Sequence, residues 1–209
     1  MLFAVAAAFG LTWWLGLYVL VREPGERGAR RAGAGLLTYG LALAAWQVRG
    51  TVAEPWAAPV AAAETALTHL PALLWTGAVL TLVPGGERLE RLWARGFVPV
   101  ALAALGWLVV SGWAGEPGTA ARVATGVLLV AALTAALVLL VRARPPRVRG
   151  LAAVATLFFG LGTALLVLPA LGPLRTLAVL AVDVDMAMLG VAIAMSNAFQ
   201  AGEALWRDM

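Results

Sequence analysis

Few ionisable side chains fall within the apolar stretches of this chain, and these are the residues that could do chemistry. Glu64 and His69 lie in one apolar stretch, and Asp183 and Asp185 lie in another. An ionisable group at membrane depth is costly, so it points to a ligand site, an ion or proton path, or a polar contact between helices. We take these four residues as a candidate polar core.

The depths of these residues predict which of them meet. At about 1.5 Å per helical residue, His69 lies about 14 Å below the start of its helix, and Asp183 lies at a similar depth on a helix entering from the same side. An imidazole and a carboxylate at one level can pair and offset each other's desolvation. Asp183 and Asp185 point about 200° apart, so they do not form one carboxylate pair. A structural contact, a ligand pocket and a proton or ion path all stay open as interpretations.

The composition excludes several kinds of chemistry. The 209 residues include one His and neither Cys nor Lys. Without Cys there are no disulfides, thiolate metal sites or iron–sulfur clusters, and without Lys no retinal Schiff base can form. One His excludes bis-histidine haem ligation, and together with two Asp it is a weak metal pattern. No catalytic constellation stands out, so we expect neither an enzyme nor a bound cofactor.

The elements that must position the four residues follow from hydropathy. The chain is 62% hydrophobic and 12% charged, whereas a soluble domain carries about a quarter charged residues. Apolar stretches of spanning length alternate with short loops containing Arg, Gly and Pro, which predicts one all-α domain, a polytopic membrane protein built as a seven-transmembrane helix bundle. The predicted helices are 2–21, 33–48, 60–83, 97–113, 120–141, 151–170 and 174–199, with a cytoplasmic tail at 200–209.

The arginines predict the orientation of this bundle. Twelve of the fifteen Arg residues follow the first, third, fifth and seventh predicted helices, whereas Arg49, Arg122 and Arg175 lie on the other side. Since basic loops stay in the cytoplasm, we expect the N-terminus outside and the C-terminus inside a bacterial inner membrane. The arginines lie in short loops between apolar segments, so we expect no nucleic-acid partner.

The tryptophans and the pairs of small residues bear on how the helices pack. Four tryptophans fall deep in the predicted helices, where they either line a ligand cavity or pack against other helices and lipid. They are Trp13, Trp14, Trp75 and Trp107. Small residues four positions apart, Thr12 with Gly16 and Gly160 with Ala164, favour a close approach of helix backbones.

Three stretches carry a resemblance to a known family. They are WLGLYVLVREPGERGARRAGAGLLTYGLALAAW, LPALLWTGAVLTLVP and DVDMAMLGVAIAMSNAF. They look like the first two helices around a short Arg loop, a third helix, and a last helix with an acid before its cytoplasmic exit. With the seven-helix layout, they resemble the seven-transmembrane N-terminal sensor region of bacterial histidine kinases and related diguanylate cyclases.

This resemblance implies a sensor or receptor module that binds a small ligand or senses the membrane and passes a helix movement to the cytoplasm. Its implied partners are the lipid bilayer, a cytoplasmic output domain or signalling partner, and a second copy in a homodimer.

The chain departs from this family, whose kinases continue into a phospho-acceptor His helix and an ATP-binding domain. Here the only His lies in the third predicted helix, and ten residues follow Phe199. We therefore expect a module of a longer protein or a stand-alone relative, rather than a kinase. The alternatives are a small transporter or channel with an Asp/His pathway, and a non-catalytic subunit of a larger membrane complex.

Overall fold

The computed structural model describes residues 2–22, 24–113, 119–141 and 156–157. Within those ranges every regular element is a helix and no strand occurs. The elements are α1 (Leu2–Arg22), α2 (Arg27–Arg49), α3 (Ala57–Thr81), α4 (Glu87–Leu92), a π turn (Trp93–Phe97), α5 (Val98–Trp113) and α6 (Thr119–Leu140). Apart from residues 156–157, the predicted helices 151–170 and 174–199 and the tail at 200–209 lie outside the described residues.

Three helical stretches in the described part of the chain are long and apolar enough to cross a membrane: Val5–Arg22, Glu87–Trp113 and Val123–Leu140. Large apolar side chains stay exposed along one face of α6, at Val123, Val127, Val130 and Val138. A water-soluble surface rarely exposes such a continuous apolar stripe, whereas lipid accommodates it. The chain is therefore a helical membrane protein, as the hydropathy predicts.

The predicted start of the second helix is wrong. α2 begins at Arg27, six residues before the predicted start at Gly33. The prediction placed the Arg-rich residues in a loop, but Arg is a good helix former. Arg31 also finds partners on two neighbouring elements, which favours its fixed position on a helix.

The predicted start of the fourth helix is wrong by a larger margin. Instead of beginning at Phe97, one helical stretch runs from Glu87 through α4, the π turn and α5. Pro99 explains the π turn, because proline has no N–H and its ring crowds the carbonyl of Arg95 four residues earlier. A wider turn relieves that crowding, and the Val98 N–H accordingly bonds to the carbonyl of Trp93.

The third helix begins at Ala57, slightly before the predicted residue 60, and ends at Thr81. Pro59 lies in its first turn, where the missing N–H costs little. Pro71 lies inside the helix without interrupting it, and it is buried against the rest of the bundle. α3 therefore stays one continuous helix past His69.

Small residues bring α1 and α2 close together, as the Thr12 and Gly16 spacing predicts. A Cβ atom on Gly16 would lie 3.0 Å from the Gly33 carbonyl oxygen, and one on Gly33 would lie 2.9 Å from the Gly16 carbonyl oxygen. Nearby, a Cβ atom on Gly40 would lie 3.0 Å from Oγ1 of Thr12. The pair Gly160 and Ala164 lies outside the described residues.

Two apolar clusters hold the helices together. One lies between α1 and α2 and contains Val5, Ala8, Leu15, Leu36, Tyr39 and Leu43. The other joins α3 to α6 through Val79, Ala136 and Leu140. α3 therefore packs on α2 on one side and on α5 and α6 on the other.

Candidate functional site

Of the four residues predicted to form a polar core, the structure describes two. Glu64 and His69 both lie on α3, and both are buried. They are five positions apart, which turns their side chains about 140° from each other, so they meet different neighbours. Asp183 and Asp185 lie outside the described residues, and the pairing of His69 with Asp183 stays a prediction.

Glu64 forms an ion pair with the end of α2. Its Oε2 atom lies 2.9 Å from Nη1 of Arg49, the last residue of that helix. The Glu64 side chain is 10% exposed and the Arg49 side chain is 57% exposed. The positive charge of a largely exposed guanidinium therefore balances the negative charge of a nearly buried carboxylate. This contact joins α2 to α3, and we interpret Glu64 as a structural contact rather than a ligand group.

His69 is buried, and only one of its ring nitrogens has a hydrogen-bond partner in the described part of the chain. Nδ1 lies 2.7 Å from the carbonyl oxygen of Thr65, one turn earlier on α3. Because a carbonyl only accepts, Nδ1 carries the hydrogen and donates it, which leaves Nε2 as the acceptor of the neutral ring. Nε2 is buried and has no hydrogen-bond partner among the described residues.

A small cavity lies beside His69, between α3, α5 and α6. Its volume is about 10 Å³, and its lining is His69, Leu73, Ala101, Leu105, Thr125, Leu128 and Leu129. The Thr125 hydroxyl donates to the carbonyl of Ala121 at 2.9 Å, so its hydrogen is not available to His69. A cavity of this size holds at most about one water molecule. In this arrangement Nε2 of His69 can accept a hydrogen bond from a water molecule.

The deep tryptophans do not gather around this cavity. Trp14 and Trp107 are 55% and 53% exposed, so they face outward, as expected for lipid contact. The ring of Trp13 stacks on that of Phe9, and Nε1 of Trp75 donates to Thr156. Of the two interpretations of these residues, the described part of the chain favours packing and lipid contact. It also contains no group of three or more acidic, His or Cys side chains that could hold a metal ion.

A second polar site, which the sequence did not predict, lies at the other end of α2 and α3. Nη1 of Arg31 donates to the carbonyl oxygen of Gly77 on α3 at 2.9 Å, and Nη2 donates to Oε1 of Glu90 on α4 at 2.7 Å. The guanidinium carbon also lies 4.8 Å from the ring centre of Trp93 in the π turn. We call these four residues the Arg31 cluster; one planar cation, with five N–H donors, joins α2, α3, α4 and the π turn.

Gly77 makes this cluster possible, because it leaves space for the Trp93 ring and its carbonyl oxygen accepts a hydrogen bond from Arg31. Its missing side chain leaves the space that the Trp93 indole occupies, since a Cβ atom there would lie 2.6 Å from Cζ2 of that ring. Its carbonyl lies near the C-terminal end of α3, where a cation complements the partial negative charge of the helix dipole. No basic residue lies in the last turn of α3 itself, so Arg31 supplies that charge from α2.

A sequence signal for this cluster exists in the stretch interpreted as a loop. Glu87, Glu90 and Trp93 follow one another at spacings of three, which places them on one side of a helix. The partner Arg31 lies far away in the chain, and periodicity gives no information on such a distant contact.

Comparison of the chain with protein-family models, with curated proteins and with solved structures found no match.

Proposed function

We propose that this chain is a membrane-embedded sensor or receptor module of a bacterial signalling system, which passes a helix movement from one face of the membrane to the other. The observation that carries the proposal is that α2 and α3 are joined at both ends. Arg49 binds Glu64 at one end, and Arg31 binds Gly77 and Glu90 at the other. Two helices fixed at both ends move as one unit, so a displacement at one face reaches the other.

Close packing between the two ends supports a rigid α2–α3 unit. A Cβ atom on Gly35 would lie 3.5 Å from Cβ of Leu74 and 3.6 Å from the carbonyl oxygen of Pro71. Nearer the Arg31 cluster, Gly28 lies directly against the Thr81 hydroxyl. Backbones this close leave little room for one helix to slide on the other, because packed interiors resist deformation.

The proposed module has seven transmembrane helices, with the N-terminus outside and the C-terminus inside the bacterial inner membrane. Its support is the arginine-rich end of the bundle, where α1 ends, α2 begins and α4 lies; basic ends of spanning helices stay in the cytoplasm. The arginines there are Arg22, Arg27, Arg30, Arg31, Arg88, Arg91 and Arg95.

Reporter fusions test this orientation. Alkaline phosphatase inserted within residues 114–118 should be active, and a fluorescent protein after Met209 should fold in the cytoplasm and fluoresce. If both reporters indicate the same side, the proposed topology is wrong.

In this proposal the α2–α3 unit shifts against α5 and α6 at the helix interface that contains His69. The contacts there are apolar apart from His69 and Thr125, and the cavity leaves Nε2 of His69 without a fixed partner in the described residues. At the arginine-rich end, Arg31 transfers the shift to Trp93 in the π turn, and such turns are frequent at functional sites. We propose that the stimulus acts at the opposite end of the unit or through the membrane.

A chimera tests the signalling role. The full chain is fused through Met209 to a diguanylate cyclase domain, and cyclic di-GMP is measured in cells. We expect Arg49→Gln, which breaks the ion pair opposite the cyclase, to change the output severalfold. The matched control is Ala63→Gln, because Ala63 is exposed next to Glu64. Equal output from wild type, Arg49→Gln and Ala63→Gln at equal expression would contradict the proposal.

A small transporter or channel is the second candidate. The observation that favours it is the buried Nε2 of His69, which has no partner among the residues that the structure describes. A buried imidazole that accepts from a water can also relay a proton. Proton flux into liposomes containing the full chain, measured with an internal pH dye, separates the two candidates. Flux that His69→Leu abolishes supports the transporter, whereas absent flux together with a responsive chimera supports the sensor.

A further inference from the structure

A basic groove lies on α2 at the arginine-rich end, next to the Arg31 cluster. Its volume is about 370 Å³, and its lining is Arg27, Arg30, Arg31, Ala34 and Leu74. This volume is within the range of small-molecule sites, about 300 to 1,000 Å³. The groove therefore has room for a charged headgroup.

The charges in this groove are poorly balanced. Among the described residues, Arg30 is exposed and has no ion pair. Arg27 meets Glu90 only at 3.8 Å and with its own side chain 71% exposed, so that contact is weak. Glu90 is therefore the carboxylate partner of two guanidinium groups, those of Arg27 and Arg31. Arg30 has none among the described residues, and an anion is the partner that would complete the three. Guanidinium groups suit phosphate because their parallel N–H donors match its oxygens.

The lining of the groove changes from charged to apolar along α2. The charged mouth lies at Arg27, at the level where the spanning stretch Val5–Arg22 of α1 ends. Ala34 lies seven residues further, about 10 Å along the helix axis, and it forms an apolar floor with Leu74 of α3. A free phosphate would use only the mouth, whereas a lipid places its phosphate at the arginines and its glycerol and first acyl carbons at the floor.

From these observations we propose that the groove binds the phosphate of an anionic phospholipid. The proposal holds whether the chain acts as a sensor or as a transporter, because it depends on the groove alone. Basic pockets between membrane helices on the cytoplasmic side are suited to such headgroups. A bound phosphate shares Arg31 with Glu90, which places the lipid in contact with the Arg31 cluster.

The test uses the full chain in a nonionic detergent, with binding followed by native mass spectrometry and thermal unfolding. The probes are dioctanoyl phosphatidylglycerol, its zwitterionic phosphatidylcholine counterpart and glycerol 3-phosphate. The groove variant is Arg27→Gln/Arg30→Gln. The control is Arg91→Gln/Arg95→Gln, which removes the same charge from exposed residues at the same end of the bundle.

We expect phosphatidylglycerol to bind and stabilise the wild type more than either other probe. At about fivefold in affinity per arginine near the surface, the groove variant should bind about 30-fold more weakly, and the control should stay close to wild type. If the groove variant unfolds on its own, Arg30→Gln alone should lose about fivefold.

Three results would overturn the proposal. If phosphatidylglycerol binding weakens equally in both double variants, the lipid is attracted by the overall positive charge of this end rather than by the groove. If phosphatidylcholine binds as well as phosphatidylglycerol, the groove does not select an anionic headgroup. Equal binding of glycerol 3-phosphate means that the ligand is a soluble phosphate rather than a lipid.

Discussion

Nη2 of Arg31 lies 2.7 Å from Oε1 of Glu90, and this contact joins the first turns of α2 to the short helix that leads into α5. Both side chains are about four-fifths buried, at 21% and 18% exposed. Partial burial strengthens a charged hydrogen bond relative to one on an open surface. The same guanidinium stacks on Trp93, so α2 contacts the π turn through one side chain.

Replacing Arg31 with Lys should destabilise the protein although the charge is kept. A lysine ammonium is a point charge that cannot bond to Gly77 and Glu90 in one plane and also stack on Trp93. We expect a loss of about 1–3 kcal/mol in the free energy of unfolding, measured by titration with sodium dodecyl sulfate in micelles. Arg91→Lys is the control, because Arg91 is exposed on the neighbouring turn; similar losses in both variants would refute this role for Arg31.

Adding one methyl group at Gly77 should displace Trp93. The new Cβ would come within 2.6 Å of the indole, and overpacking of this kind costs about 1–3 kcal/mol. Gly106→Ala on α5 is the matched control because nothing lies within 4 Å of its added Cβ, and a helical Gly→Ala change there should stabilise by roughly 0.5–1 kcal/mol.

A second variant separates the Trp93 contact from other effects at Gly77. In Gly77→Ala/Trp93→Leu the smaller side chain leaves room for the methyl group, so adding Gly77→Ala to Trp93→Leu should cost less than adding it to the wild type. Equal costs in the two backgrounds, read from thermal unfolding by circular dichroism, would show that Trp93 is not the obstacle.

His69→Leu should leave stability almost unchanged. The substitution loses the hydrogen bond from Nδ1 to Thr65 but also removes a buried acceptor that has no donor in the described residues. These effects have opposite signs, so we expect a net change within about 1 kcal/mol. Leu73→Ala, in the lining of the same cavity, should cost about 2–5 kcal/mol. A comparable loss in His69→Leu would mean that Nε2 has a strong partner.

Hydropathy predicts the helices well where apolar runs end at a clear boundary. The helix predicted at 120–141 is observed at Thr119–Leu140, and the first helix ends one residue after its predicted end. The predictions fail at Arg27 and Glu87, where charged residues continue a helix beyond its apolar part. Charge indicates that a segment leaves the membrane, but it does not end a helix, because Arg and Glu are good helix formers.

His69 is buried, whereas the partners of the polar residues were not predictable. Residue count gives depth along a helix, and an ionisable side chain at that depth is costly to expose to lipid. Which neighbouring helix faces it depends on helix rotation and packing, which hydropathy and residue counting do not reveal. For this reason the ion pair of Glu64 with Arg49 was missed.

We propose that α2 and α3 form a rigid unit that passes a displacement at one end of the helix pair to the other. The chain has no native Cys, so spin labels can be attached at Arg30→Cys on α2 and Leu92→Cys on α4, two exposed positions at the arginine-rich end. Their distance distribution in lipid nanodiscs is measured by pulsed electron paramagnetic resonance, with Arg49→Gln added at the opposite end.

We expect Arg49→Gln to shift or broaden that distribution, Ala63→Gln to leave it unchanged, and the exchange Arg49→Glu/Glu64→Arg to restore it. Restoration would attribute the change to the ion pair rather than to general loss of structure. Superimposable distributions for the wild type and Arg49→Gln would contradict the proposal, because a change at one end of the α2–α3 unit would then not reach the other.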